Sequence, residues 1–103
     1  MFRVRICGSL LLGVLCAAMG ACVTSPPVQE MSDARQAISA AEQADAARLA
    51  PESLGAARQF LEEAEQQLLQ EAYGPARTNA VRAKNRAVQA LSSSQLASDS
   101  EAR

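Results

Sequence analysis

An all-α fold, a small bundle built on an antiparallel hairpin, follows from three features of this 103-residue chain. Beyond residue 21 the chain holds nineteen alanines and only two aromatics, Phe60 and Tyr73. Alanine favours helix and buries little surface, so much helix and a thin core are expected. Apolar residues recur at alternating intervals of three and four, the spacing of one helix face. Prolines at 51 and 75 punctuate that pattern, and a residue before proline is pushed out of the helical region.

The first helix is predicted over about 30–49. Ser32 is its candidate cap, and Asp33 suits the positive N-terminal end. Its stripe is Met31, Ala34, Ala37, Ile38, Ala41 and Ala44. Leu49-Ala50-Pro51 breaks it. The second helix, about 51–72, opens on Pro51, whose missing N–H is harmless in a first turn. Leu54, Ala57, Leu61, Ala64 and Leu68 form its seam, with Phe60 and Leu69 widening the apolar face. Gly74-Pro75 is the expected turn. The third helix, about 75–96, carries Ala76, Ala80, Ala83, Ala87 and Ala90 as one stripe. Val81, Val88 and Leu91 flank it, and the valines offer a face that helix one or a partner could cover. Serine-rich sequence from residue 92 predicts fraying into a disordered tail over 97–103.

Helices two and three are of similar length with a short connection, so they should lie antiparallel. Folding about Gly74 brings Leu61 to Ala87 and Leu68 to Ala80, with Leu54 and Tyr73 nearer the two ends. It also sets Glu71 beside Arg77 and Glu65 near Lys84. Exposed pairs contribute only ~0.2–1 kcal/mol each, against ~1.5–3 kcal/mol for a buried leucine. The leucines therefore decide whether the hairpin forms, and the charges select its orientation. An acidic second helix and a basic third helix could equally serve self-association.

The N-terminal 21 residues have another character. Arg3 and Arg5 precede an apolar run from Ile6 to Met19, which ends at Met19-Gly20-Ala21-Cys22. That run would be ~21 Å long as a helix, against ~30 Å for a hydrocarbon core, so a signal peptide fits better than a membrane span. Small residues directly before a cysteine resemble a bacterial lipobox. The resemblance implies cleavage between Ala21 and Cys22 and covalent lipid on the Cys22 thiol. Val14 and Leu15 before Cys16 are too bulky for the same role. An ordinary signal peptide cut near Ala21 is the alternative. Several acyl chains, which the resemblance implies, anchor firmly where one holds only marginally. Val23 stands where, in many Gram-negative lipoproteins, an aspartate favours inner-membrane retention; the resemblance therefore implies the outer membrane. Residues 22–30, with Pro26-Pro27, read as a lipidated tether, and 31–96 as the alanine-rich domain.

Beyond the cut there are eight basic and eleven acidic residues, a net charge of minus three. This is not a nucleic-acid-binding balance. With no histidine and one remaining cysteine, Cys/His nucleophiles and familiar zinc clusters are excluded, as is an intramolecular disulfide. Glu62 and Glu65 share a helical edge, but no Glu-x-x-His completes a metal site, and a solvated acidic face is the plainer reading. No small-molecule substrate, cofactor or catalytic residue is evident, apart from the expected lipid. Arg82, Lys84 and Arg86 could touch anionic lipid or glycan, or simply form a solvated flank paired with helix two.

Leu49-Ala50-Pro51-Glu52-Ser53-Leu54-Gly55-Ala56-Ala57-Arg58, then Leu61, Ala64 and Ala72-Tyr73-Gly74-Pro75-Ala76-Arg77, resembles small alanine-rich envelope lipoproteins carrying a helical domain of unknown function. That domain also occurs ahead of OmpA-like peptidoglycan-binding domains. The resemblance covers about 32–91 and implies a non-catalytic, periplasm-facing interaction or structural module. Its expected partners are the membrane and either itself or another envelope protein. No OmpA-like domain follows here, so cell-wall binding is not carried over. The stretch from Tyr73 to Ala83 also resembles tetratricopeptide helices, but one helical pair is too few for a repeat array.

Overall fold

The computed structural model describes residues 25–103. The proposed cleavage and lipidation positions, Ala21 and Cys22, lie outside the described residues. Four helices follow in order: α1 Val28–Gln43, α2 Ala46–Leu49, α3 Pro51–Leu69 and α4 Tyr73–Ala102. There is no strand among the described residues.

α1 begins earlier than its sequence signals suggest. Ser32 does not cap it; Pro27 precedes the first helical residue, and no side chain caps that end. Pro27 is buried, and its carbonyl accepts the Met31 N–H at 3.0 Å. Proline lacks an amide donor but keeps its acceptor, so it can start a helix. The helix therefore starts at Val28, inside the stretch to residue 30 expected as an extended tether. Ser32 sits inside the helix, where its hydroxyl accepts from Gln36 at 3.5 Å. Met31, Ala34, Ile38 and Ala41 are the buried stripe.

The expected single helix to residue 49 is interrupted at Ala44-Asp45. Asp45 is left-handed (φ 64°), and its N–H reaches the Glu42 carbonyl at 3.1 Å. Short Asp side chains tolerate this conformation better than most residues. The bend lets the single turn of α2 bury Ala46, and Ala50 just after it, against Leu54.

α3 buries Leu54, Ala57 and Ala64. It ends at Leu69 rather than 72, and Leu69 is 85% exposed instead of widening the apolar face. The turn is Gln70-Glu71-Ala72, not Gly74-Pro75. Glu71 takes a positive φ of 60°, with Glu71 N–H bonded to Leu68 O at 3.0 Å and Ala72 N–H to Gln67 O at 2.9 Å. This pair of bonds is a Schellman cap, with glutamate in the position glycine usually holds. Gly74 has ordinary negative φ and lies in the first turn of α4.

α4 runs unbroken for 30 residues, about 45 Å. The frayed tail expected over 97–103 is instead helical to Ala102. Two features account for this: the small-residue seam continues through buried Ser94, and Glu101 is tied to Arg48.

Ion pairs fix the topology. Glu30–Arg77 (3.0 Å) joins α1 and α4 at one end, and Arg48–Glu101 (2.9 Å) joins α2 to α4 at the other, so α1 runs parallel to α4. Arg35–Glu65 (3.4 Å) and Arg58–Glu42 (3.7 Å) set α1 antiparallel to α3. α4 packs along both, and α1 rests chiefly on α4. One core cluster gathers Ile38, Ala41, Ala46, Ala50, Leu54, Ala57, Ala87 and Ala90; the other gathers Met31, Ala64 and Ala80. Half-buried Leu61 touches both.

Candidate interaction surface

The seam residues decide which faces remain free. Ala76, Ala80, Ala83, Ala87 and Ala90 are fully covered. Leu54, Leu61 and Ala87 meet in one cluster, and Leu68 packs with Ala80 in the other. Tyr73 is half-buried at the start of α4. α1 takes the alanine side of α4 and leaves the valines: Val81 and Val88 remain 41% and 45% exposed. They are separated by seven residues on one flank.

The charged residues pair differently from expectation. Arg77 binds Glu30 rather than Glu71, and also donates to the Ser25 carbonyl at 3.1 Å. Glu65 binds Arg35 rather than Lys84. The reason is topological: α1 lies along the edge of the hairpin and offers both charges at closer range. Glu71 and Lys84 are exposed with no ion-pair partner among the described residues.

Arg48 carries no distinguishing sequence signal, yet its guanidinium makes three side-chain hydrogen bonds. Its guanidinium donates to both Glu101 carboxylate oxygens, at 2.9 and 3.2 Å, and to Asp45 at 2.7 Å. The hydrogen bonds that Arg48 donates to it, then the Arg48 positive charge, hold the Glu101 carboxyl below its usual value; donating to Glu101 and Asp45 raises the Arg48 guanidinium above its own. Nothing local in the sequence could reveal a bond across 53 positions. The left-handed Asp45 leaves only a weak trace, a short acidic side chain that tolerates that conformation better than most.

Two of the arginines without a carboxylate partner among the described residues, Arg82 and Arg86, lie together. Phe60, Arg82, Asn85, Arg86 and Gln89 line an open groove between α3 and α4. The Arg82 guanidinium stands 6.0 Å from the Phe60 ring centre, within cation–π range. Gln59, Glu62, Glu63 and Gln66 lie together on an exposed face of α3. No cluster of three metal-ligating side chains occurs among the described residues. No helix among them is long and apolar enough to cross a membrane.

Fold and surface together define a small all-α bundle with an alanine seam and open, charged grooves. The chain belongs to the family described as a domain of unknown function (DUF4398), which matches residues 29–103. That match starts one residue inside α1 and takes in all of α4. No curated protein and no solved structure matches the chain.

Proposed function

We propose that this protein is a lipid-anchored lipoprotein of the bacterial cell envelope, facing the periplasm, outer-membrane in location, and acting as a non-catalytic interaction module. The observation that carries the reading is Met19-Gly20-Ala21-Cys22 at the end of the apolar run behind Arg3 and Arg5. The family match supports the boundary, because it begins only after that segment. Between Cys22 and the start of α1 at Val28 lie five residues, six chain steps with a reach of about 20 Å at most. Acyl chains on Cys22 would thus hold the bundle close to the headgroups and raise the local concentration of its faces toward any partner there.

Mass spectrometry of the full protein extracted from membranes tests this. The expected product starts at Cys22 and carries acyl mass on it. Retention of residues 1–21, or a bare thiol at Cys22, refutes it. A product cut near Ala21 and recovered in the soluble periplasmic fraction would instead identify a secreted helical protein. A second reading, self-association, is favoured by the unpaired Arg82 and Arg86 beside the α3–α4 groove and the unpaired Glu63 on α3.

A further inference from the structure

The bundle has one face that its own ion pairs leave unused. α1 occupies the side of α3 that bears Arg58 and Glu65, which it binds through Glu42 and Arg35. Phe60 and Glu63, three apart, lie on a different face of α3. On α4, Arg77 faces α1, whereas Asn79 turns to α3 and donates to Gln67 at 2.9 Å. Arg82 and Arg86, four apart, line the α3–α4 groove with Phe60.

The charges of this face are unsatisfied within the chain. Arg35, Arg48, Arg58 and Arg77 all hold carboxylates. Arg82 and Arg86 hold none among the described residues, and Glu63, three residues from Phe60 on α3, likewise has no ion-pair partner among them. Glu63 on α3 and the Arg82–Arg86 pair on α4 therefore border one groove. We infer that the occupant of this groove is a second copy of the chain, docked about a two-fold axis parallel to the helices. The inference rests on the reading of this protein as an interaction module and supplies its partner.

Register carries the proposal. The Asn79–Gln67 bond sets the relative height of the two helices. Glu63, four residues back along α3, then stands level with residue 83, four residues on along α4. It lies between Arg82 and Arg86 in height. A two-fold axis along the groove preserves height and exchanges left for right, so α3 of one copy overlies α4 of the other. Glu63 of each copy then meets Arg82 and Arg86 of its mate, twice by symmetry. The two Phe60 rings meet near the middle, with Gln59, Asn85 and Gln89 placed to hydrogen-bond around them. An axis across the helices would set α3 on α3 and α4 on α4, opposing like charges, which costs binding. Charge thus selects one of the two symmetric arrangements.

Sedimentation equilibrium of the full protein, extracted in a density-matched neutral detergent, measures this. The wild type is expected to dimerise reversibly in the micromolar range and to weaken with added salt. Arg82→Glu with Arg86→Glu, and separately Glu63→Arg, should each raise the dissociation constant at least ~10-fold. Combining the three changes should restore it to within a few fold, because the charges are exchanged rather than removed. Circular dichroism should show unchanged helicity throughout. A wild type that stays monomeric across the range overturns the inference, as does a combined variant with no recovery. Binding of a monomer to anionic vesicles through Arg82 and Arg86 also overturns it and assigns the groove to lipid. Lipid mass on Cys22, read on the same preparation, reports separately on the anchor.

Discussion

Leu54 is the side chain on which the hairpin depends most. It is 1% exposed and packs with Ile38, Ala41, Ala46, Ala50, Ala57, Ala87 and Ala90. Leu54→Ala removes about three methylene equivalents, or ~2.4 kcal/mol of transfer free energy, before any cavity is counted. Its neighbours are mostly alanines, which have no side-chain freedom with which to fill the space. The measured loss should therefore fall in the upper part of the ~2–5 kcal/mol range for such truncations. Domains this small rarely have more than ~3–5 kcal/mol from their core, so the variant should be close to unfolding at room temperature. Leu69→Ala is the control. That leucine is 85% exposed, and its truncation should change stability by no more than ~0.5 kcal/mol. Urea unfolding followed by circular dichroism compares the three proteins. Equal effects from the two leucines, or a Leu54→Ala loss below ~1 kcal/mol, would refute this account of the core.

Three further outcomes are expected. Ser94 is fully buried with its hydroxyl unbonded, so Ser94→Ala should raise the thermal midpoint, relieving a desolvation cost of ~1–3 kcal/mol. Glu71 is exposed, left-handed and unpaired; Glu71→Gly should stabilise the protein by up to ~1 kcal/mol, whereas a hairpin pair with Arg77 would give a loss. Glu101 is held below its ordinary value by Arg48, so its contribution to stability is complete above the ordinary carboxylate range and fades as pH falls through the lowered folded value. Carboxyl NMR should show that low midpoint, and Arg48→Ala should return it to the ordinary range.

Much of the architecture is legible in the residue spacing. Leu54, Ala57, Leu61, Ala64 and Leu68 on one side, and Ala76 through Ala90 on the other, point to one buried line because three- and four-residue intervals admit few other uses. The connections are harder to read. Gly74-Pro75 looks like the turn, yet Glu71 takes the left-handed position and the proline settles into the first turn of α4, where it fits equally well. The bend at Asp45 carries no glycine or proline to announce it. Charge pairing fails for a different reason. Expecting Glu71–Arg77 and Glu65–Lys84 treats the hairpin as isolated, and α1 then supplies Glu30 and Arg35. The stretch beyond residue 96 reads as loose because serine and aspartate are weak helix formers, while its support comes from Arg48, half the chain away.

The direction of α1 gives the molecule two unlike poles. Residues 25–31 enter beside the reversal between α3 and α4, and the opposite pole, at Ala102, stands about 45 Å off. A chain fastened by its start would hold the reversal near its support and project the far tip outward like a mast. A fluorophore at Ser98 would then report a height above the bilayer several times greater than one at Thr78.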